Sequence, residues 1–199
     1  MSTNRLEAFS DGVLAVAITL LVLNVKVPPT SDHDLAHQLA LRWPEYAAYA
    51  TSFITIGIIW INHHAMIGRL RQADHAILFW NLLLLMSVGI LPFATSLMAT
   101  YLKQGHGSDH LAAAIYSGSF LVMSLMFSAL NRQILLVKSD LLAETMPEQQ
   151  RRAIFKRAVM GIAPYVIATA LAWVSPYATL AICAAIAVYY ALPRASGSP

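Results

Sequence analysis

The chain has 199 residues, of which 58% are hydrophobic and 12% charged. A soluble domain carries roughly 45–50% apolar and about 25% charged residues. Half the usual charge, with a mean hydropathy of +0.60, excludes an ordinary soluble fold and leaves an integral membrane protein. The net charge of +3 comes from 13 Lys and Arg with no basic run interleaved with aromatics, so it is read as setting orientation in a membrane, with no nucleic-acid partner. The single Cys183 lies in an apolar stretch and there is no C-x-x-C. That excludes an internal disulfide and thiolate-cluster metal chemistry.

A bilayer span needs about 20 apolar residues. The first run, about residues 7–27, begins soon after Arg5 but continues unbroken from Gly12 to Leu23 with no small-x-small site behind it. It is read as a retained first span, stopped by Pro28-Pro29, and not as a signal peptide. The second, about 44–67, opens at Trp43-Pro44, with proline favoured in a first helical turn. The third is about 75–101, and the fourth about 109–131 follows the loop Gln104-Gly-His-Gly-Ser-Asp109. The fifth and sixth, about 154–174 and 176–192, are joined by a tight turn at Val174-Ser-Pro-Tyr177. These runs are continuously apolar and too long for alternating barrel strands. The fold class is therefore all-α, a polytopic membrane protein with six transmembrane helices in one domain, residues 1–193. The polar stretch 132–157 is expected to supply a cytoplasmic linker, about 132–153, in helical form, and residues 194–199 a disordered tail.

With the N-terminus inside, the inner side collects Arg5, Arg69, Arg71, Arg132, Lys138, Arg151, Arg152, Lys156, Arg157 and Arg194. The outer side keeps Lys26, Arg42 and Lys103. Ten against three is a positive-inside bias that puts both termini in the cytoplasm, in a cell (inner) membrane.

Polar groups inside spans are expensive and mark function or helix anchoring. Arg5, Ser10 and Asp11 enter the first span; Asn62, His63 and His64 close the second; Asp74 and Asn81 open the third. Topology brings all of them to the cytoplasmic half. Either they form a cluster holding the inner ends of the first three spans together, or groups such as Arg5, Glu7 and Asp74 simply reach headgroups and water. His63 and His64 point about 100° apart on a helix, so the pair does not chelate one ion, and no metal is expected. No His-Glu-x-x-His, Gly-rich phosphate loop or nucleophile motif occurs, so the chain is not read as an enzyme and needs no cofactor.

At 100° per residue, Val16, Thr19, Leu20 and Leu23 form one stripe of the first span, with Asp11 about 140° round from Val16. By periodicity alone such a stripe faces lipid or another helix. The run Arg5-x-x-x-Phe9-Ser10-Asp11, then Ala17-Ile-Thr-Leu-Leu-Val-Leu23, resembles the signature of the transmembrane protein 175 potassium-channel family. The segments Trp60-Ile-Asn-His-His64 and Asn81-Leu-Leu-Leu-Leu85…Leu91-Pro-Phe93 look like its prokaryotic members. The resemblance implies a homotetramer embedded in membrane lipid and passing K⁺ in preference to Na⁺. It implies no re-entrant pore loop, and no Thr-Val-Gly-Tyr-Gly occurs here. Carried over by position, span one lines a central pore. Its hydrophobic constriction falls on Val16, Leu20 and Leu23, with Thr19 as a hydroxyl layer. Arg5, Phe9, Ser10 and Asp11, with Asn62, His63, His64 and Asn81, form the polar cluster tying helices together. The family often has Ile or Leu where this chain has Val16, which implies a wider layer there. The rival expectation is a proton-coupled transporter, or a proton leak, through Asp11 and the span-two histidines.

Overall fold

Apolar runs this long fold as helices because, without water, a backbone must satisfy its own N–H and C=O groups. The computed structural model describes residues 3–28, 34–105 and 107–192. The expected tail at 194–199, with Arg194, and the second proline of Pro28-Pro29 lie outside the described residues. In chain order the helices are α1 (Thr3–Leu20), α2 (Leu35–Leu41), α3 (Trp43–Ile67), α4 (His75–Gly89), α5 (Leu91–Tyr101), α6 (Ser108–Arg132), α7 (Glu148–Met160), α8 (Ile162–Leu171) and α9 (Pro176–Ala191).

Five segments among the described residues are long and apolar enough to cross a membrane: Thr3–Asn24, Trp43–Ile67, His75–Tyr101, Ser108–Val137 and Glu148–Leu171. Helix α9 is apolar but has 16 residues, about 24 Å of rise against a hydrocarbon core of about 30 Å. Two of the segments are broken for identifiable reasons. Pro92, which has no N–H to give, opens α5 and separates it from α4. Gly161 separates α7 from α8, where a Cβ would sit 3.3 Å from the Tyr190 hydroxyl and from the Ala158 carbonyl oxygen.

Caps fix the helix starts. Asp74 accepts from the Ile77 N–H at 2.9 Å, and Ser175 from the Ala178 N–H at 3.2 Å, so Ser175 and Pro176 start α9 at the expected tight turn. The short helix α2, capped by Asp34, is not anticipated by the sequence, being too short to show periodicity. The polar stretch 132–157 also differs from the expected separate linker. Helix α6 runs on through a π-helical turn, Gln133–Val137, and α7 begins at Glu148 as the first half of the next long segment. Only a short connection remains. It is pinned to the α3–α4 loop by Arg71 N–H to Leu141 O at 2.9 Å and Ala143 N–H to Arg69 O at 2.8 Å.

Side-chain contacts define the two ends of the bundle. At one end Glu7 meets His64 and Asp74 meets Lys138. At the other, Lys103 Nζ donates to Leu41 O, His110 meets Ala172 O and Trp43 stacks on Tyr177. Between them the core packs Leu14, Ile56, Leu84, Met98, Tyr116 and Phe120. Large apolar residues such as Met86, Phe93, Ile167 and Trp173 face outward, as a lipid-facing surface requires. Neutral hydrogen bonds stitch the helices across this core: Ser52 bonds Thr95 at 2.8 Å and Tyr116 at 3.1 Å, and Asn24 donates to Pro92 O at 3.1 Å.

Candidate functional site

Helix α1 has two unlike faces. Leu6, Ser10, Leu14, Ala17 and Leu21 are buried against the bundle. On the other face Phe9, Val16, Leu20 and Leu23 are 53%, 56%, 44% and 71% exposed. The periodicity of 3.6 separates these sets up to Leu20. Beyond it the chain tightens into a 3₁₀ turn, Leu21–Asn24, where residues three apart eclipse one another. Leu23 therefore stands directly over Leu20, closer in azimuth than a uniform 100° count gives.

Thr19 lies on the exposed face, and its hydroxyl donates to Val16 O at 2.9 Å. The proton is thus spent within the helix, while the oxygen lone pairs stay available to a donor or a cation. Beside this face a shallow groove is lined by Phe9, Gly12, Val16 and Leu20 of α1 and by Gly89 of α4. A Cβ at Gly12 or Gly89 would meet nothing within 4 Å, so another helix has room to approach there.

The polar residues sort into two groups. Ser10, His63 and Asn81 are fully buried and joined in a chain across α1, α4 and α3. Asn81 Nδ2 donates to Ser10 Oγ at 3.1 Å, and Asn81 Oδ1 lies 2.7 Å from His63 Nε2. Ser10 Oγ in turn donates to Leu6 O at 2.8 Å. That last bond fixes the polarity of the rest. The serine proton is committed, so Asn81 gives its N–H₂ to Ser10 and keeps its carbonyl for His63, which must carry its proton on Nε2. His63 Nδ1 has no hydrogen-bond partner among the described residues.

The second group is a ladder nearer the end of the bundle. Glu7 and Asp11 on α1 face His64 and Trp60 on the antiparallel α3. His64 Nδ1 lies 2.6 Å from Glu7 Oε1, and Trp60 Nε1 donates to Asp11 Oδ1 at 2.9 Å. One ligand atom from each of Glu7, Asp11 and His64 lies within 4.8 Å of the others, a spacing that would admit a cation. Each carboxylate already has a donor beside it.

Three of the residues expected in the cluster lie outside both groups. Arg5 is exposed and has no partner among the described residues. Phe9 faces outward. Asn62 donates to Ile58 O of its own helix at 2.8 Å and lines a cavity elsewhere in the bundle. Conversely, Trp60, which is not among the residues expected in the cluster, takes part in it through Asp11. The signal was present in two i, i+4 pairs, Glu7/Asp11 and Trp60/His64, on helices that must run antiparallel.

Comparison with known proteins gives a consistent picture. Residues 5–92 match the family model described as the endosomal/lysosomal potassium channel TMEM175. A protein of Chamaesiphon minutus named as a potassium channel is 40% identical over 193 residues, covering 96% of this chain and 94% of the relative. One from Streptomyces collinus, named likewise, is 41% identical over 189 residues, 94% of this chain and 91% of its own length. The human protein named as the endosomal/lysosomal proton channel TMEM175 is 33% identical over 136 residues, which cover 64% of this chain and 27% of that protein. The crystal structure of a lysosomal potassium-selective channel TMEM175 homolog from Chamaesiphon minutus superposes with a TM-score of 0.85 at 38% identity, covering 98% of both chains.

Proposed function

Because this chain belongs to the TMEM175 channel family, we propose that it is a passive potassium channel whose pore is lined by α1 from four copies of the chain. The observation that carries this reading is the exposed face of α1. That face sets the Thr19 oxygen between two aliphatic layers and leaves an open groove against Gly12 and Gly89. Small residues at a helix surface allow close backbone approach within membranes, which supports a second copy packing there.

In the assembled pore, Val16, Leu20 and Leu23 form aliphatic rings and Thr19 an oxygen ring between the first two. A narrow apolar ring cannot replace an ion's hydration shell, so it gates by dewetting. A slightly wider one passes an ion that keeps part of its water, and K⁺ gives up water more cheaply than Na⁺. The Thr19 oxygens replace some of what is lost. The buried chain Ser10–Asn81–His63 holds α1 against α3 and α4, so the rings keep their diameter. The remaining architecture follows from the same reading: a single domain over residues 1–193, six spans with α9 as the last, no re-entrant loop, and both termini on the cytoplasmic side of the cell (inner) membrane. K⁺ is the permeant ion, with no cofactor and no catalytic step. The proton-coupled carrier is the disfavoured reading, since the relatives aligned almost end to end are named potassium channels.

The test is ion flux from liposomes holding the purified protein, with K⁺, Na⁺ and H⁺ compared in the same preparation. K⁺ passes faster than Na⁺ without a coupled ion, and Leu23→Ala raises K⁺ flux while moving the K⁺/Na⁺ ratio toward unity. Unchanged ratios in both Leu23→Ala and Val16→Ala remove this face from the pore.

A further inference from the structure

Away from α1, the helices α3, α6, α7, α8 and α9 enclose a cavity of about 470 Å³. A volume of this order suits an organic ligand of moderate size. Arg69, just past the end of α3, and Gln150 and Arg157 on α7 contribute to one part of its wall, together with Asn131 at the end of α6. All belong to the end of the bundle marked by the Glu7–His64 pair. The rest of the lining is largely apolar, including Ile58, Met123, Phe127 and Ile154.

The charge in this cavity is one-sided. Among the described residues no carboxylate lines it, and neither Arg69 nor Arg157 has an ion-pair partner. Arg69 is half-buried, and burial without a counter-charge pulls its pKa below the ordinary guanidinium value. An incoming anion would relieve that cost, since burying a charge is tolerated mainly when it is paired. The amides of Asn62 and Asn131 each give one N–H to their own helix, at 2.8 Å to Ile58 O and 3.1 Å to Phe127 O. Each therefore keeps a second N–H. The wall beside the cavity faces lipid, because Val159 and Met160 on α7 are exposed apolar residues.

Two cations, amide donors and an apolar interior, next to a lipid-facing surface, match an anionic amphiphile. We propose that this cavity binds an anionic membrane phospholipid. The phosphate lies between Arg69 and Arg157, and part of one acyl chain lies along Ile58, Met123 and Phe127. Basic pockets between transmembrane helices on the cytoplasmic side take such headgroups for electrostatic reasons. The bound lipid bridges α7 to α3 and α6. Among the described residues α7 is tied to α6 and its π-helical extension by hydrogen bonds from Ser128 Oγ to Ala158 O at 3.2 Å and from Arg151 Nη1 to Leu135 O at 2.8 Å.

The experiment is thermal unfolding of the full chain in detergent, titrated with phosphatidylglycerol, phosphatidylcholine or inorganic phosphate. It reads binding without ion flux, so its outcome is independent of the channel reading. Phosphatidylglycerol raises Tm saturably, and the other two do not. Arg69→Gln with Arg157→Gln weakens the apparent affinity about thirtyfold, since each arginine near an anionic surface is worth on the order of fivefold. Arg157→Gln alone, at an exposed position that leaves the fold untouched, weakens it about fivefold. Ala153→Trp, which fills the lining with both charges in place, abolishes the shift, while Lys156→Gln, outside the lining, leaves it intact. Equal stabilisation by phosphatidylcholine overturns the proposal, as does a phosphatidylglycerol shift that survives the double arginine substitution. The same shift with inorganic phosphate alone overturns the lipid in favour of a free-anion site.

Discussion

The buried chain through Asn81 can be tested by its energetics. In Asn81→Leu the new side chain has the same branching and the same number of heavy atoms, so no cavity is opened at this fully buried site. The imidazole Nε2–H of His63, now 2.7 Å from Asn81 Oδ1 and fully buried, loses its acceptor. A stranded buried donor costs about 1–3 kcal/mol. The bond from Asn81 to Ser10 is lost as well, which adds roughly 0.6 kcal/mol for a typical interhelical hydrogen bond in a membrane. Ser10 keeps its own acceptor in Leu6 O, so nothing further is stranded there. The expected loss is about 2–3 kcal/mol. His63→Leu costs less, because it also removes Nδ1, which lacks a partner. The double substitution should then recover about 1–2 kcal/mol of the summed losses, since replacing both partners with apolar groups is far cheaper than removing one. The assay is equilibrium unfolding in micelles, read as a double-mutant cycle. Additive losses, with a coupling below about 0.5 kcal/mol, would refute the reasoning and leave the three residues as independent packing elements.

Three other outcomes follow from the same geometry. Thr19→Val keeps shape but removes the oxygen, so liposome K⁺ flux falls, whereas Thr19→Ser retains it; equal flux in both shows that the hydroxyl contributes nothing to conduction. The Ile77 N–H at 2.9 Å, aided by Lys138 at 3.0 Å, holds the Asp74 carboxyl below the usual carboxylate range. Its folded pKa is depressed, so its contribution is present at neutral pH and lost as pH falls below about 4. Asp74→Asn keeps the cap and loses only the partly exposed Lys138 pair, costing at most about 1 kcal/mol, and its Tm converges on that of the wild type in acid. Trp60→Phe releases Asp11 without touching the buried chain, so its stability loss adds to that of Asn81→Leu within about 0.5 kcal/mol, as measured in the same unfolding assay.

Much of the fold was legible because a membrane makes sequence speak plainly. The long runs beginning at Trp43, His75 and Ser108 start at a proline or a capping residue or just after a glycine turn, and their apolar lengths matched the helices within a few residues. The same clarity failed at 132–157. A π-helical turn carries no compositional mark, and charges such as Arg151 and Arg152 look the same on a separate linker as on the first turns of a long helix. Ser10 and Asn81 could be suspected from depth alone. Their pairing with His63 rather than with His64 depended on helix rotation, which hydropathy does not encode. Asn62 illustrates the limit, since one residue of rotation carried it from the expected cluster to a different cavity.

The polarity of the Ser10–Asn81–His63 chain has a bearing on leakage. A Grotthuss wire needs every member to accept a proton on one side and release it on the other, as waters, hydroxyls and imidazoles do. A carboxamide does not: its nitrogen would have to shed a proton while its oxygen captured one, through a high-energy imidic acid. Asn81 sits in the middle of the chain, with its oxygen toward His63 and its nitrogen toward Ser10. The linkage therefore works as an insulator, binding three helices through the interior of the membrane while closing that route to hydrogen ions.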